Sequence, residues 1–402
     1  MTIIRNSMLK TLKTSKLNKI FLVVTLALSS NTFAGELGNT KATVEELRIP
    51  TAVKTMPTVA GRLAARVDAF TEQINRAKSY TVLTQLVLRH APALWNDAKK
   101  SFMTLGDYDD RPLYWSRLKM SKILRSSEGF AELFPNQQQK LLWTLELLSR
   151  GQSDVKFDKK ADKKILITGF DPFFLDRNID QSNPSGVVAL SLDDIVLSVE
   201  GKTAEVEVLI VPVRFADFDQ GMIEELLTPY IAEKNVDMVI TVSMGRENFD
   251  LERYPALRRS AKAPDNLNVL TGATKNKPLV PKLKFNELKG PEFVEFSLPV
   301  DAMKNGSGKY QVNDNRNVST LEKTYAAQSL AEIVNKVSVN GSGGGYLSNE
   351  ISYRSILLRE KYNPLLPVGH IHTPRIKSFD QQALMDIVNQ TKNIITQGVA
   401  EL

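Results

Sequence analysis

This chain of 402 residues must do any chemistry with few reactive side chains. It has no cysteine and three histidines, His90, His370 and His372. Lacking cysteine, it cannot form disulfides, thiolate-bound zinc or iron–sulfur clusters, use a thiol nucleophile or carry a lipid-modified cysteine. A multi-histidine metal centre would need nearly all three histidines, so no metal and no cofactor are expected. A histidine general base therefore has few candidates. His90 lies on an apolar helical stripe and reads as a hydrogen-bonded core residue. His370 and His372 fall together in a short segment near the C-terminus and are expected to face opposite sides of a strand. The glycine run Gly341–Gly345 lacks the Lys-Ser/Thr that follows a phosphate loop, so it reads as a turn that lets backbone approach a site.

The elements that must position these residues follow from periodicity. In residues 35–150, apolar residues recur at spacings of three and four: Leu63, Val67, Phe70 and Ile74, then Leu83, Leu86, Val87, His90 and Leu94, then Leu141, Leu142, Leu145 and Leu148. This region is expected to be helical, serving packing or an unidentified protein partner. Segment 151–164 is polar and charge-rich and reads as a linker. From 165 to 402 the pattern changes. Short β-branched runs at 164–168, 206–213, 236–242 and 368–372 alternate with helical stretches at 184–192 and 218–233. A further helix is expected from about Ser348, and a last one behind Ser378 as its N-cap. Such alternation predicts an α/β domain with a mostly parallel open sheet flanked by helices. Parallel sheets place their sites at the carboxyl ends of strands, which directs attention to the residues after Thr168, after Val242, before Ser348 and at His372.

The chain holds 52 lysines and arginines against 45 acids, but residues 1–34 contribute five basic residues and no acid. Without them the excess is two, which removes the case for nucleic-acid binding. The same segment carries a short apolar run, Ile20–Leu28, and ends at Ala34. A basic lead, a short apolar stretch and a small residue read as a signal peptide over 1–34, with the protein exported to the periplasm or secreted. No later stretch is long and apolar enough for a membrane span.

Four segments resemble the pyroglutamyl peptidase I (pyrrolidone-carboxylate peptidase) family. They are Thr168-Gly-Phe-Asp-Pro-Phe173 with Asn183-Pro-Ser185; Gly245-Arg246 with Leu251-Glu-Arg253 and Pro264-Asp-Asn266; Gly344-Gly-Tyr-Leu-Ser-Asn349; and Gly369-His-Ile-His-Thr-Pro374. The resemblance covers about 164–396 in order, with extra sequence near 267–292 and 304–322. It implies a catalytic triad in which Glu252 orients the imidazole, His372 is the base and Ser348 stands where the family has its nucleophilic cysteine. It also implies that Phe170 and Phe173 enclose the substrate ring, that Asn183 belongs to the binding segment, and that Lys262 stands where the family has an arginine near the oxyanion. Phe174 replaces a family glycine, and Val242-Ser-Met244 replaces Gln-Ala-Gly.

The expected activity is an exported peptidase-like hydrolase that removes N-terminal pyroglutamate, or cleaves a related small amide, by a Ser-His-Glu triad. The rival reading is an inactive binding or scaffold protein in which Ser348 only caps a helix. Retention of Glu252 and His372 together favours the enzyme. Val242, Met244, Phe174 and Lys262 favour the binding protein.

Overall fold

The computed structural model describes residues 42–402; the signal-peptide segment lies outside the described residues. Proline marks where several helices begin, because its missing N–H is one that no helix start can satisfy. Helices α1 (Ala64–Arg76), α2 (Tyr80–Leu105), α3 (Arg111–Ser126, Pro112 in its first turn) and α4 (Pro135–Leu148) make the expected helical region. The α/β part follows as β1 (Lys163–Phe170), α5 (Pro184–Leu192), β2 (Ile195–Val199), β3 (Lys202–Val211), α6 (Met222–Ala232), β4 (Met238–Met244), β5 (Phe249–Glu252), β6 (Val312–Asn315), α7 (Leu347–Tyr362), β7 (Val368–Thr373) and α8 (Gln381–Val399).

Seven strands form one sheet in the order β2-β3-β1-β4-β7-β5-β6. The central four, β3, β1, β4 and β7, are parallel, and so is the outer pair β5 and β6. β2 and β5 run antiparallel to their neighbours β3 and β7. The central strands are buried over most of their length because helices cover them: α5 packs with α8, and α6 with α7. The fold is therefore a mostly parallel open α/β sheet flanked by helices, with a helical region before it.

The helical region is not set apart from the sheet by a solvated linker. Phe70, Leu94, Trp95 and Leu113 share one hydrophobic core with Ile165, Val188 and Leu209. The segment expected as a linker is packed where it begins. A side chain at Gly151 (φ +96°) would come within 2.9 Å of the Trp95 ring and of the Val208 carbonyl. Trp95 Nε1 donates to Asp154 at 2.8 Å, and Ile210 N donates to the Arg150 carbonyl at 3.1 Å. Of the acids in this segment Asp154 is drawn inward, to Lys99, which also reaches Asp193 and Asp194 at 2.5–2.7 Å, while residues 158–160 stay exposed.

Buried ion pairs bind the same two regions. Asp171, just past β1, lies between Arg117 at 2.9 Å and Arg150 at 2.7 Å, all three buried. Arg150 also pairs with Glu146 at 2.7 Å. Arg214, after β3, holds Glu146 at 2.8 Å and Glu45 at 3.1 Å, and pairs with Asp217. Burial raises the pKa of Glu45 and Asp217, while the arginines hold Glu146 well below the usual carboxylate range despite burial.

Two smaller expectations differ from the structure. His90 is buried against Phe70, rings 5.5 Å apart, but neither ring nitrogen has a hydrogen-bond partner among the described residues. The last helix is capped by Asp380, whose side chain accepts from Ala383 N at 3.0 Å, and not by Ser378.

Candidate active site

The carboxyl ends of the parallel strands meet along one edge of the sheet. A pocket of about 300 Å³ opens there. It is lined by Phe170 from the end of β1, Phe173 and Asn183 from the loop after it, and Val213 after β3. Ser243 and Met244 of β4, and Tyr346, Leu347 and Ser348 at the start of α7, complete it. Of the residues expected at a site, Phe170, Phe173, Asn183 and Ser348 are thus brought together.

Each aromatic is placed by its neighbours. Phe170 lies nearly parallel to Phe218, centroids 6.3 Å apart. Phe173 contacts Phe174 at 4.2 Å. Phe174 stands at φ +63°, a left-handed backbone that favours glycine, so this chain carries strain of about 1 kcal/mol or more to place a ring there. Asn183 is largely spent on the protein itself. Its Oδ1 accepts from Ser185 N at 3.1 Å and Ser185 Oγ at 2.8 Å, and its Nδ2 donates to the Asp171 carbonyl at 2.9 Å. One amide hydrogen of Asn183 is left for a ligand.

His372 and Glu252 form the buried core of the site. His372 Nδ1 donates to Glu252 Oε1 at 2.5 Å. Ile371 stands opposite Leu251 and His372 opposite Asp250, so Glu252 reaches His372 diagonally across two antiparallel strands. The second carboxylate oxygen accepts from Asn315 Nδ2 at 2.9 Å, and that nitrogen also donates to the Ser342 carbonyl at 3.0 Å. Gly245 makes room for the imidazole: a Cβ there would lie 2.6 Å from the His372 Cβ.

His370 and His372 share a face, contrary to expectation. Side chains alternate along a strand, so residues two apart point the same way. Their rings meet edge to face at 4.8 Å. His370 is fully buried, with Nδ1 2.7 Å from Thr241 Oγ1 and Nε2 2.8 Å from Ser243 Oγ. Burial, and then proximity to His372, push its pKa well down, so it stays neutral. Its ring is held between two hydroxyls of β4 and packs edge-on against His372.

Ser348 is the second residue of α7, with Tyr346 at the cap position, so it is not the N-cap. Its Oγ donates to the Gly343 carbonyl at 3.3 Å and makes no hydrogen bond to His372 among the described residues. The glycine turn that receives this bond lies beside the imidazole: a Cβ on Gly343 would be 3.5 Å from His372 Cε1. Asn349 fixes the start of α7 by accepting from Ala256 N at 2.9 Å and donating to the Ala256 carbonyl at 2.7 Å. The first turn presents the N–H groups of Leu347, Ser348 and Asn349, which have no acceptor within the helix. Those donors, with the helix dipole, suit an oxyanion.

Lys262 is not brought into this pocket. It is exposed and lines a neighbouring cleft with Ser260, Gly344 and Gly345. Residues the sequence did not single out for the site are Asn315, Ser243, Val213 and Tyr346. Asn315 lies in sequence outside the family-like motifs, so pairing of β5 with β6 is its only signal.

Comparison with known proteins is consistent with a two-part chain. Residues 30–146 match the family described as PA0049 N-terminal domain, and residues 164–292 and 309–377 match PA0049, C-terminal domain. A protein of Pseudomonas aeruginosa, named as the uncharacterized protein PA0049, is 26% identical over 393 residues, covering 75% of this chain and 71% of its own. Among solved structures, a mutant pyrrolidone carboxyl peptidase of Pyrococcus furiosus is 22% identical with a TM-score of 0.40, covering 59% of this chain and 99% of that one. The pyrrolidone carboxyl peptidase of the same organism, solved with its cysteine-free mutant, gives 21% and 0.39 over 59% of this chain and 99% of its own. Among the described residues, no helix is long and apolar enough to cross a membrane.

Proposed function

We propose that this chain is an amide hydrolase of the peptidase type, acting on an N-terminal pyroglutamyl group or a related small amide. The observation that carries the reading is the buried Glu252–His372 hydrogen bond beside a pocket whose edge holds a serine at a helix start. Phe170, Phe173 and Val213 give that pocket an apolar wall that suits a lactam ring. Glu252 holds the Nδ1 proton of His372, leaving Nε2 as the base. Ser348 Oγ attacks the substrate carbonyl carbon and passes its proton to Nε2. The N–H groups at the start of α7 receive the charge that develops on the carbonyl oxygen. The C–N bond breaks as His372 returns the proton to the leaving amine, and water then hydrolyses the acyl-serine by the reverse proton path. No metal or cofactor enters this scheme. We place the reaction outside the cytoplasm, on the character of residues 1–34.

The second reading is a binding protein that keeps the pocket without turnover. The Ser348 hydrogen bond to Gly343 favours it, because a serine primed for attack points at its base. Release of arylamine from a pyroglutamyl arylamide by the full chain separates the two. Turnover lost in Ser348→Ala supports the hydrolase. A pyroglutamyl peptide that binds but is never cleaved supports the binding protein.

A further inference from the structure

Beside the apolar pocket lies a larger cleft, about 800 Å³, on the other side of the glycine turn. Its walls are Ser260, Ala261, Lys262, Lys275, Asn340, Gly344 and Gly345. Gly343 reaches toward the His372 ring, while the next two residues line the cleft and the next three line the pocket. A chain bound with its reacting amide at Ser348 and His372 therefore has a short path over the turn into the cleft.

The polar atoms of the cleft wall are mostly donors without partners. Lys262 and Lys275 have no ion pair or hydrogen bond among the described residues, and no acid lines the cleft. Asn340 Oδ1 is spent on Ser260 Oγ at 2.6 Å, which leaves its Nδ2 hydrogens free. The two glycine carbonyls of the wall are also spent: Gly344 O accepts from Gly341 N at 2.9 Å, and Gly345 O from Ser260 N and Ala261 N at 3.0 and 3.1 Å. A wall with two free ammonium groups, a free amide and no acid selects a ligand rich in carboxylates.

Lys275 is held in place by the extra sequence that carries it. Thr274 and Lys277 exchange two backbone hydrogen bonds of 3.0 Å around it, and Arg259 and Leu279 exchange two more at 2.8 and 2.9 Å. The insertion is thus docked beside the segment that carries Lys262.

We propose that this cleft takes the part of the substrate beyond the scissile bond, and that this part is an acidic peptide. The inference rests on the hydrolase reading for its geometry, but its recognition chemistry is independent of turnover. Lys262 is then a specificity residue for the leaving side.

The test uses two peptides with a C-terminal fluorophore, pyroglutamyl-Asp-Glu-Asp and pyroglutamyl-Asn-Gln-Asn, titrated with the full chain carrying Ser348→Ala. Anisotropy should show the acidic peptide binding about tenfold tighter at low salt, the preference shrinking as salt rises. Lys262→Gln with Lys275→Gln should erase the preference and leave the neutral peptide unaffected. Both lysines are exposed, so an unchanged melting temperature confirms the fold. Equal affinities, a preference that survives the double substitution, or binding of neither peptide overturns the proposal. If the wild type cleaves both peptides without preference, the cleft proposal fails and the hydrolase stands. If the preference exists without any cleavage, the hydrolase reading fails and an acidic-peptide site remains.

Discussion

Glu252 and His372 are joined at 2.5 Å across two antiparallel strands, and Asn315 occupies the carboxylate oxygen that His372 leaves free. The carboxylate is thereby fixed from both sides. Glu252→Gln keeps the shape but can present its NH₂ to Nδ1, favouring the wrong tautomer. Turnover should fall about 10³–10⁴-fold with little change in melting temperature. A full-rate Glu252→Gln enzyme would mean that the pair is structural.

Asn315→Ala removes a hydrogen bond to a buried carboxylate, an interaction of about 1.5–3 kcal/mol. Turnover should drop tenfold or more, with a shifted pH–rate profile, because Asn315 acts through Glu252 and His372. Asn315→Asp should be worse, since it sets two carboxylates together. Alanine kinetics and pH profile identical to wild type would remove Asn315 from the site.

Ser348→Ala and His372→Ala should each abolish cleavage, and the double variant should be scarcely worse, because the residues act as one unit. Ser348→Cys asks whether the site was retuned for oxygen. The helix start and His372 can stabilise a thiolate, so a site still built for sulfur should gain activity with cysteine. A site adapted to serine should lose it.

Asp110 gives a pH prediction for stability. Its buried carboxyl accepts from Ser182 Oγ at 2.6 Å and Asn183 N at 3.0 Å. Burial, together with the charge of Asp109 and against the pull of Arg111 and these hydrogen bonds, pushes its pKa up to about 7 from 3.8. The folded chain holds this proton more tightly than the unfolded chain. The resulting stabilisation is full below about pH 4 and is lost as pH rises through about 7. Asp193, pushed to about 7, and Glu207, to about 8, act in the same direction. Urea unfolding at pH 5 and pH 8 should show wild type losing more stability than Asp110→Asn over that interval. Equal losses in the two proteins would refute the assignment.

Arg117→Ala should destabilise the whole chain by roughly 3–5 kcal/mol, because Asp171 would keep its buried charge with one guanidinium fewer. The melting temperature should fall in a single transition, since helices and sheet share one core. For the same reason a chain beginning at Asp158 should be insoluble or lack fixed tertiary structure. A soluble, cooperatively folding fragment would show that the sheet region stands alone.

The sequence made the central strands β1, β3 and β4 readable because each holds a short run of apolar, β-branched residues that is buried. β5 carried no such signal. Its four residues include Asp250 and Glu252, and it is a strand because β6 and β7 hold it between them. The acid of the site was therefore legible only through motif resemblance, and its partner Asn315 not at all. Buried arginines were equally invisible: Arg117, Arg150 and Arg354 sit in helical or charged segments where exposure is the default, and partners distant in sequence bury them. Asp154 is a milder case, since a charge paired internally looks in sequence like the solvated charges beside it.

The Asp171 pairs also constrain how the chain is made. Arg117 and its acid are separated by 54 residues, and Glu45 waits 169 residues for Arg214. During synthesis the helical region emerges first, so Arg117 and Glu45, both destined for burial, appear before their partners Asp171 and Arg214 exist. Its interior cannot close until the first and third strands have been made. Residues 42–150 are then expected to close only once Arg214 has been made, so the helical region folds with the sheet and not ahead of it. A pulse-labelling experiment should find them protease-sensitive in nascent chains and resistant only once Arg214 has emerged.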